Sequence, residues 1–138
     1  MGVGTEIKLD YAFVADYAQV IDNKLTVVGA SYTYVFTDVF PSTHMLSVAG
    51  RLRAPEGIDT VPLRIEVVPP NEAYTIGVDM ELDHGPHVRP YDGKVGLLFA
   101  ITMQVPLIAP GLYEVFLYVE GERVRRLAFE AQAIEQHN

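Results

Sequence analysis

Three carboxylates at alternate positions, followed by two histidines, form the densest group of potential metal ligands: Asp79, Glu81, Asp83, His84 and His87. Hard cations bind carboxylate oxygens, and zinc accepts imidazole together with carboxylate. Residues at alternate strand positions lie about 6.6–7 Å apart, however, so three carboxylates do not easily reach one ion. Alternating acids are also typical of the solvent face of a strand. We therefore name Asp83, His84 and His87 as weak metal candidates only, and predict no cofactor.

Two Asp-Tyr pairs, Asp10-Tyr11 and Asp16-Tyr17, could place a carboxylate beside a phenol for acid–base chemistry. Their spacing supplies neither a nucleophile nor a histidine that would complete a site. We interpret both aspartates as structural, either capping backbone amides or holding a tyrosine hydroxyl. The sequence also lacks the nucleophile-elbow, P-loop, dinucleotide-binding and zinc-protease motifs. These observations predict a protein that is not an enzyme.

A hairpin near the C-terminus places large aromatic side chains beside arginines. The turn Glu120-Gly121 predicts that Tyr118 pairs with Arg123 and Phe116 with Arg125. Aromatic rings and arginine are enriched at protein interfaces, so we predict that these four residues form an interaction surface. Two alternatives are that the rings lie under a loop, or that a bulge reverses the faces of the strand. The opposite set is predicted to face the core: Tyr113, Val115, Leu117 and Val119.

A row of aromatic residues at alternate positions, Tyr32, Tyr34 and Phe36, could stack on sugar rings or bases. The intervening residues are the smaller Ser31, Thr33 and Val35, so we predict that the aromatic set faces the core instead. Sugar binding remains an alternative that requires exposed rings. Binding to bases is disfavoured by the net charge of −8.

The elements that must position these residues are short strands. Eleven glycines and nine prolines divide the chain into pieces with a hydrophobic period of two, which predicts strands. Residues 12–21 also fit a helical stripe, but alternation and the neighbouring strands favour a strand there. Gly29 predicts a bulge. The predicted strands cover residues 9–21, 25–36, 46–54, 61–68, 74–82, 95–103, 112–119 and 122–132.

These elements predict an all-β fold, an antiparallel β-sandwich of about eight strands that is immunoglobulin-like in broad architecture. The 138 residues fit one domain, and we expect frayed ends at 1–5 and 134–138. The longest irregular stretches are 37–43, 54–60 and 84–93. A rigid sandwich usually presents its sites on such loops.

Composition excludes several functional classes. There is no cysteine, so disulfides, thiolate zinc sites and cysteine nucleophiles are absent. Eighteen acidic residues against ten basic ones argue against nucleic acid and against anionic membranes as partners. No apolar run is long enough to span a bilayer, and residues 1–10 lack the pattern of a signal peptide. We therefore expect a cytoplasmic protein.

Two stretches resemble a family of small bacterial proteins of unknown function. The first runs Val-Ala-Asp-Tyr-Ala at 14–18 and Asp-Asn-Lys-Leu-Thr-Val-Val-Gly-Ala at 22–30, with Phe-Pro at 40–41. The second is Pro-Gly-Leu-Tyr-Glu-Val at 110–115 with Val-Glu-Gly-Glu at 119–122. The resemblance implies a β fold and a bacterial origin but no catalytic residue. In many immunoglobulin-like sandwiches, the tyrosine of Pro-Gly-x-Tyr fixes a corner to the backbone.

Taken together, the sequence predicts a non-catalytic protein-interaction or structural module. We expect it to bind itself, as a homo-oligomer such as a dimer, or another protein. The alternative is a small-ligand or metal-binding protein that uses the strand end and loop at 79–93.

Overall fold

The computed structural model of the protein describes residues 6–85 and 88–134. Within these residues the chain is all-β, apart from one 3-10 turn at Pro70–Glu72, and no helix is long and apolar enough to cross a membrane. Of the predicted frayed ends, only Ile134 is described, and its N–H donates to the Thr37 carbonyl at 3.0 Å. The nine described strands are β1 (Lys8–Ile21), β2 (Lys24–Ala30), β3 (Tyr34–Thr37), β4 (Ser42–Pro55), β5 (Thr60–Val68), β6 (Ile76–Asp83), β7 (Lys94–Leu107), β8 (Gly111–Val119) and β9 (Glu122–Ala133).

The strands form the two sheets of an immunoglobulin-like sandwich, as predicted. One sheet has the order β2-β1-β4-β7, and the other has the order β3-β9-β8-β5-β6. The pairs are antiparallel except that β3 runs parallel to β9, which corrects the expectation of a wholly antiparallel fold. The parallel pair arises because the chain passes from one sheet to the other at residues 31–33 instead of turning back on β2.

The core lies between the sheets and is built from alternate residues, as the period of two predicts. On β8 the predicted inward set, Tyr113, Val115, Leu117 and Val119, is buried throughout. Other strands contribute in the same alternating way. Their fully buried side chains include Leu46, Val48 and Leu52 on β4, Leu63, Ile65 and Val67 on β5, and Phe99 on β7.

Tyr113 fixes the turn that precedes β8. Its hydroxyl donates to the carbonyl of Ala109 at 2.8 Å and accepts from the N–H groups of Ile108 at 3.0 Å and Ala109 at 3.3 Å. The ring is fully buried and stacks on Phe129, with 5.5 Å between the ring centroids. This is the tyrosine corner that the Pro-Gly-x-Tyr motif implies.

The prediction of one strand over 25–36 is wrong. Ser31 adopts φ +63°, and its N–H donates to the Val14 carbonyl at 2.7 Å, which separates β2 from β3. The predicted bulge at Gly29 is also absent from the described pairing, since the register between β1 and β2 is the same on both sides of it. Gly29 has φ +65° instead, a conformation that glycine adopts without a steric penalty.

The hairpin of β1 and β2 packs on the outer face of its own sheet, over β4 and β7. Residues 12–21 are strand, as predicted, but β1 pairs with β4 only as far as Ala15. Beyond that point Ala18, together with Leu25 and Val27 of β2, packs against Ala49 and Ala100. The fold thus buries both faces of β4 in its middle portion.

Candidate functional site

A cleft opens where the chain passes from the four-stranded to the five-stranded sheet. Its volume is about 440 Å³. We call it the Asp16 cleft, after the carboxylate at its edge. The residues that line it are Asp16, Gly29, Ala30, Tyr32, Tyr34, Val35, Phe36 and His44.

The inner wall of the Asp16 cleft is a hydrogen-bonded pair of Tyr32 and His44. The Tyr32 hydroxyl and Nε2 of His44 are 2.8 Å apart, and both rings pack edge-on or tilted against Phe129. Burial raises the pKa of Tyr32 far above its usual value, and the charge of Asp16 adds to the rise. Burial lowers the pKa of His44, although Asp16 opposes that shift. Both side chains are therefore neutral at pH 7.

Asp16 supplies the negative charge of the cleft. Its side chain is exposed, and among the described residues it takes part in no ion pair or side-chain hydrogen bond. The carboxylate lies against the backbone of Gly29, where a Cβ atom would come within 2.2 Å of the Asp16 Oδ2. Glycine at position 29 is therefore required for this placement of the carboxylate.

Tyr34 and Phe36 form the outer wall. Their rings stack at a centroid distance of 6.2 Å and an angle of 10°, and they are 54% and 59% exposed. The prediction that the aromatic row faces the core is thus wrong for these two residues. Only Tyr32 packs against the core, because it lies in the crossing between the two sheets and is not part of β3.

The predicted interaction surface on the C-terminal hairpin is assembled only in part. Arg123 lies over the Phe116 ring at 3.9 Å and donates to the Tyr118 hydroxyl at 3.0 Å. The turn and the Tyr118–Arg123 pair are as predicted, but Phe116 pairs with Arg126, because a register shift separates Leu117 from Tyr118. Arg125 pairs with Leu117 instead.

Phe116 is also less accessible than the prediction requires. It is only 8% exposed, although it lies on the face of β8 opposite to the core. The Arg123 side chain covers its ring, so that the pair contributes to stability as a cation–π contact. The accessible part of this surface is Tyr118 and Arg123.

A groove of about 490 Å³ adjoins Tyr118 on the five-stranded sheet. Its charges are largely paired with one another: Arg64 donates to Glu66 at 2.9 Å and to Asp79 at 2.7 Å. Tyr118 donates its hydroxyl to the other oxygen of Glu66 at 3.1 Å. Asp79, the first of the three alternating carboxylates, is therefore paired with Arg64.

The residues of the metal hypothesis do not converge where the structure describes them. Acids alternate along the exposed face of β6, and Nδ1 of His84 is 2.9 Å from the carbonyl oxygen of its neighbour Gly85. In residues 6–85 and 88–134 no three His, Asp or Glu side chains come together as a metal site. His87 lies outside the described residues.

The two Asp-Tyr pairs have different environments. Asp10 forms a 2.8 Å ion pair with Arg51, whose guanidinium also lies over the Tyr11 ring. Asp16 lies beside Tyr32 and His44 in the cleft, whereas the hydroxyl of Tyr17 bonds to Gln19. Sequence reasoning missed His44 altogether, because no local spacing connects it to Asp16.

The edges of the two sheets differ in charge. β6, at one edge of the five-stranded sheet, carries three acids among eight residues. β7, at the edge of the four-stranded sheet, has fourteen residues, of which only Lys94 is charged. Its ends are closed, since Lys94 exchanges two backbone hydrogen bonds with Tyr91, and the Pro106 carbonyl accepts from the Tyr74 hydroxyl.

Comparison with solved structures supports the fold. The chain is similar to the alkylpurine DNA glycosylase AlkC of Pseudomonas fluorescens bound to DNA with an abasic-site analogue, at 14% identity and a TM-score of 0.52. The match covers 94% of this chain but only 31% of the glycosylase. An immunoglobulin-like protein of Pseudomonas aeruginosa matches over 95% of this chain and all of its own length, at 11% identity and a TM-score of 0.48.

The likeness to the glycosylase bears on architecture alone and carries no activity to this chain. A comparison with curated proteins gave no match. The family model of DUF6941, described as a family of unknown function, matches residues 10–132. The match covers most of the sequence and includes both stretches of the resemblance noted above. The chain therefore belongs to the DUF6941 family.

Proposed function

We propose that the protein is a non-catalytic module that joins with a second copy of itself through the free edge of β7. The observation that carries the proposal is the combination of length and low charge in this edge strand. An edge strand directs unpaired N–H and C=O groups outward, and natural proteins usually protect such edges with charges, bulges or short strands. β6 has this protection in its acids, whereas β7 lacks it between Gly96 and Val105.

A second copy is the partner that fits this edge best. Two β7 strands related by a twofold axis run antiparallel, so each supplies the donors that the other needs. The pairing would join two four-stranded sheets into one of eight strands. The closed ends at Lys94 and Pro106 fix the length over which pairing takes place and leave the middle of the strand free.

The test is the dependence of molecular mass on concentration, measured by sedimentation velocity at about 10 mM ionic strength, where charges act over roughly 30 Å. The wild-type protein should rise from 15.3 kDa towards twice that value. Thr102→Lys places a charge at an exposed position within the uncharged part of β7 and should keep the protein monomeric. Added salt should restore part of the association, because it screens the repulsion between the two lysines.

Thr102→Val is the matched control. Thr102 bonds to the buried Ser47 hydroxyl at 2.8 Å, and both substitutions remove that bond, but only lysine adds charge. The valine variant should therefore associate like the wild type. A wild-type mass of 15.3 kDa at every concentration would refute the proposal, as would equal behaviour of the two variants.

The cytoplasmic location predicted from the sequence is part of this proposal. An excess of acid and the absence of cysteine support it.

A further inference from the structure

We propose that the Asp16 cleft binds an organic cation, namely an alkylammonium or guanidinium group. The cleft combines an unpaired carboxylate with two exposed aromatic rings, and both features favour a positive charge. The proposal is independent of association through β7, because none of the residues found to line the cleft in the described part of the chain belongs to β7.

The charge of the lining selects the sign of the ligand. Of the residues found to line the cleft in the described part of the chain, Asp16 alone carries a charge at pH 7, and no arginine or lysine neutralises it. The chain as a whole has a net charge of −8, which attracts cations over longer distances. A phosphate or carboxylate ligand would meet no positive group here.

The two rings of the outer wall supply the second attraction. The face of an aromatic ring carries negative potential, so a cation placed over it is stabilised. Tyr34 and Phe36 present nearly parallel rings on one strand face, at the same cleft as the carboxylate. A cation in the cleft can therefore contact ring faces while its charge is paired with Asp16.

The inner wall argues against a sugar or a bare metal ion. The Tyr32 hydroxyl and Nε2 of His44 are already bonded to each other, which leaves chiefly the Asp16 carboxylate and the Tyr34 hydroxyl for the several hydroxyls of a sugar. One carboxylate is too few for calcium, which takes six to eight oxygen ligands, or for zinc, which takes four ligands. An organic cation needs only one counter-charge and an apolar contact surface.

The backbone around Asp16 is specialised for its placement. Gly29, against which the carboxylate lies, and Ser31, which begins the crossing between sheets, both have positive φ values, of +65° and +63°. A serine in this conformation is uncommon, and such residues are frequent at functional sites. We assign Gly29 as a positioning residue, because any side chain there would displace the carboxylate.

Two sources could supply the cation, a free amine or the side chain of a peptide. Both share the chemistry described above, so the probes must separate them. We choose choline as the free cation and acetyl-Gly-Arg-Gly-amide as the peptide. The neutral molecule 3,3-dimethylbutan-1-ol has the shape of choline without its charge, and methyl β-glucoside represents a sugar.

The experiment is an NMR titration of the ¹⁵N-labelled full chain with each probe. Choline or the arginine peptide should shift amide signals of residues 29–36 with a dissociation constant of about 10 mM, since an exposed ion pair and a cation–π contact are both weak. The stronger of the two identifies the source. The neutral alcohol and the glucoside should bind at least about tenfold more weakly than the cations.

Two variants and a control test the residues directly. Asp16→Asn keeps the shape of the side chain and should weaken choline binding about fivefold, and Phe36→Ala about threefold. Asp22→Asn removes an exposed carboxylate at the tip of the hairpin, outside the cleft, and should bind like the wild type. Gly29→Ala should weaken binding through the displaced carboxylate, even though Asp16 remains.

The proposal fails if neither cation shifts these signals at up to about 50 mM, a concentration well above the expected dissociation constant. It also fails if the neutral alcohol or the glucoside binds as strongly as choline, since the charge would then have no role. Equal binding by the wild type and by Asp16→Asn, with the folded NMR spectrum retained, would overturn it in the same way.

Discussion

Removal of the Tyr113 hydroxyl tests whether the tyrosine corner stabilises the sandwich. Tyr113→Phe keeps the buried ring and its stacking on Phe129 but removes one acceptor and one donor. The N–H groups of Ile108 and Ala109 and the carbonyl of Ala109 then lose their partner. The folded state should lose stability, because these backbone groups are only part-exposed and water replaces the hydroxyl incompletely.

The expected loss follows from three hydrogen bonds, of which the one at 3.3 Å is weak. At about 0.5–1.5 kcal/mol for each normal bond, the unfolding free energy should fall by roughly 1–3 kcal/mol. With about 2.1 cal/mol/K of unfolding entropy per residue, a chain of this size loses roughly 3.5 °C for each kcal/mol. The melting temperature of Tyr113→Phe should therefore lie about 3–10 °C below that of the wild type.

Calorimetry and urea unfolding measure this loss directly. Tyr11→Phe is the control, because the Tyr11 ring also stacks, on Phe13, but its hydroxyl makes no hydrogen bond among the described residues. It should change the melting temperature by less than about 2 °C, as is usual for a surface substitution. The reasoning is refuted if the two variants melt together, or if Tyr113→Phe melts like the wild type.

Two further predictions concern the cleft and the hairpin. Because burial lowers the pKa of His44, the unfolded chain binds more protons, and stability should fall as the pH drops below the ordinary value of 6.5. His44→Phe should flatten the dependence of unfolding free energy on pH between 7 and 5. An unchanged slope in this variant would show that the pH dependence comes from other groups. Arg123→Ala uncovers the Phe116 ring and should lower the unfolding free energy by about 0.5–1 kcal/mol, while the oligomeric mass stays the same. A loss of association in that variant would favour the hairpin over β7 as the interface.

The architecture could be predicted because it depends on local patterns. Alternation identified seven of the eight predicted segments as single strands, and the turn residues Glu120-Gly121 placed the final hairpin. The tyrosine corner followed from a short motif. The register error at Phe116 has a different origin, since one extra residue in β9 near Val124 displaces every later pair and leaves no signal in composition.

The Asp16 cleft was not predictable, because its parts come from four places in the chain. Asp16 lies on β1, Gly29 on β2, Tyr34 and Phe36 on β3, and His44 on β4. The cleft exists because the chain changes sheets at Ser31, a residue type that rarely adopts a positive φ. With no signal for that change, alternation over 25–36 assigned Tyr34 and Phe36 to the wrong face.

The middle of β4 shows what a simple alternation rule misses. Residues 46–50 are all buried, although they read Leu-Ser-Val-Ala-Gly, with large residues only at alternate positions. Leu46 and Val48 face the core between the sheets, while Ser47 and Ala49 lie on the outer face under the β1–β2 hairpin. Small side chains on a second face allow a strand to approach closely, as bulky ones would not. A strand in which small residues alternate with large ones can therefore have a covered outer face as well as an exposed one. The small residues that give this signal here are Ala15, Ser47, Ala49 and Ala100.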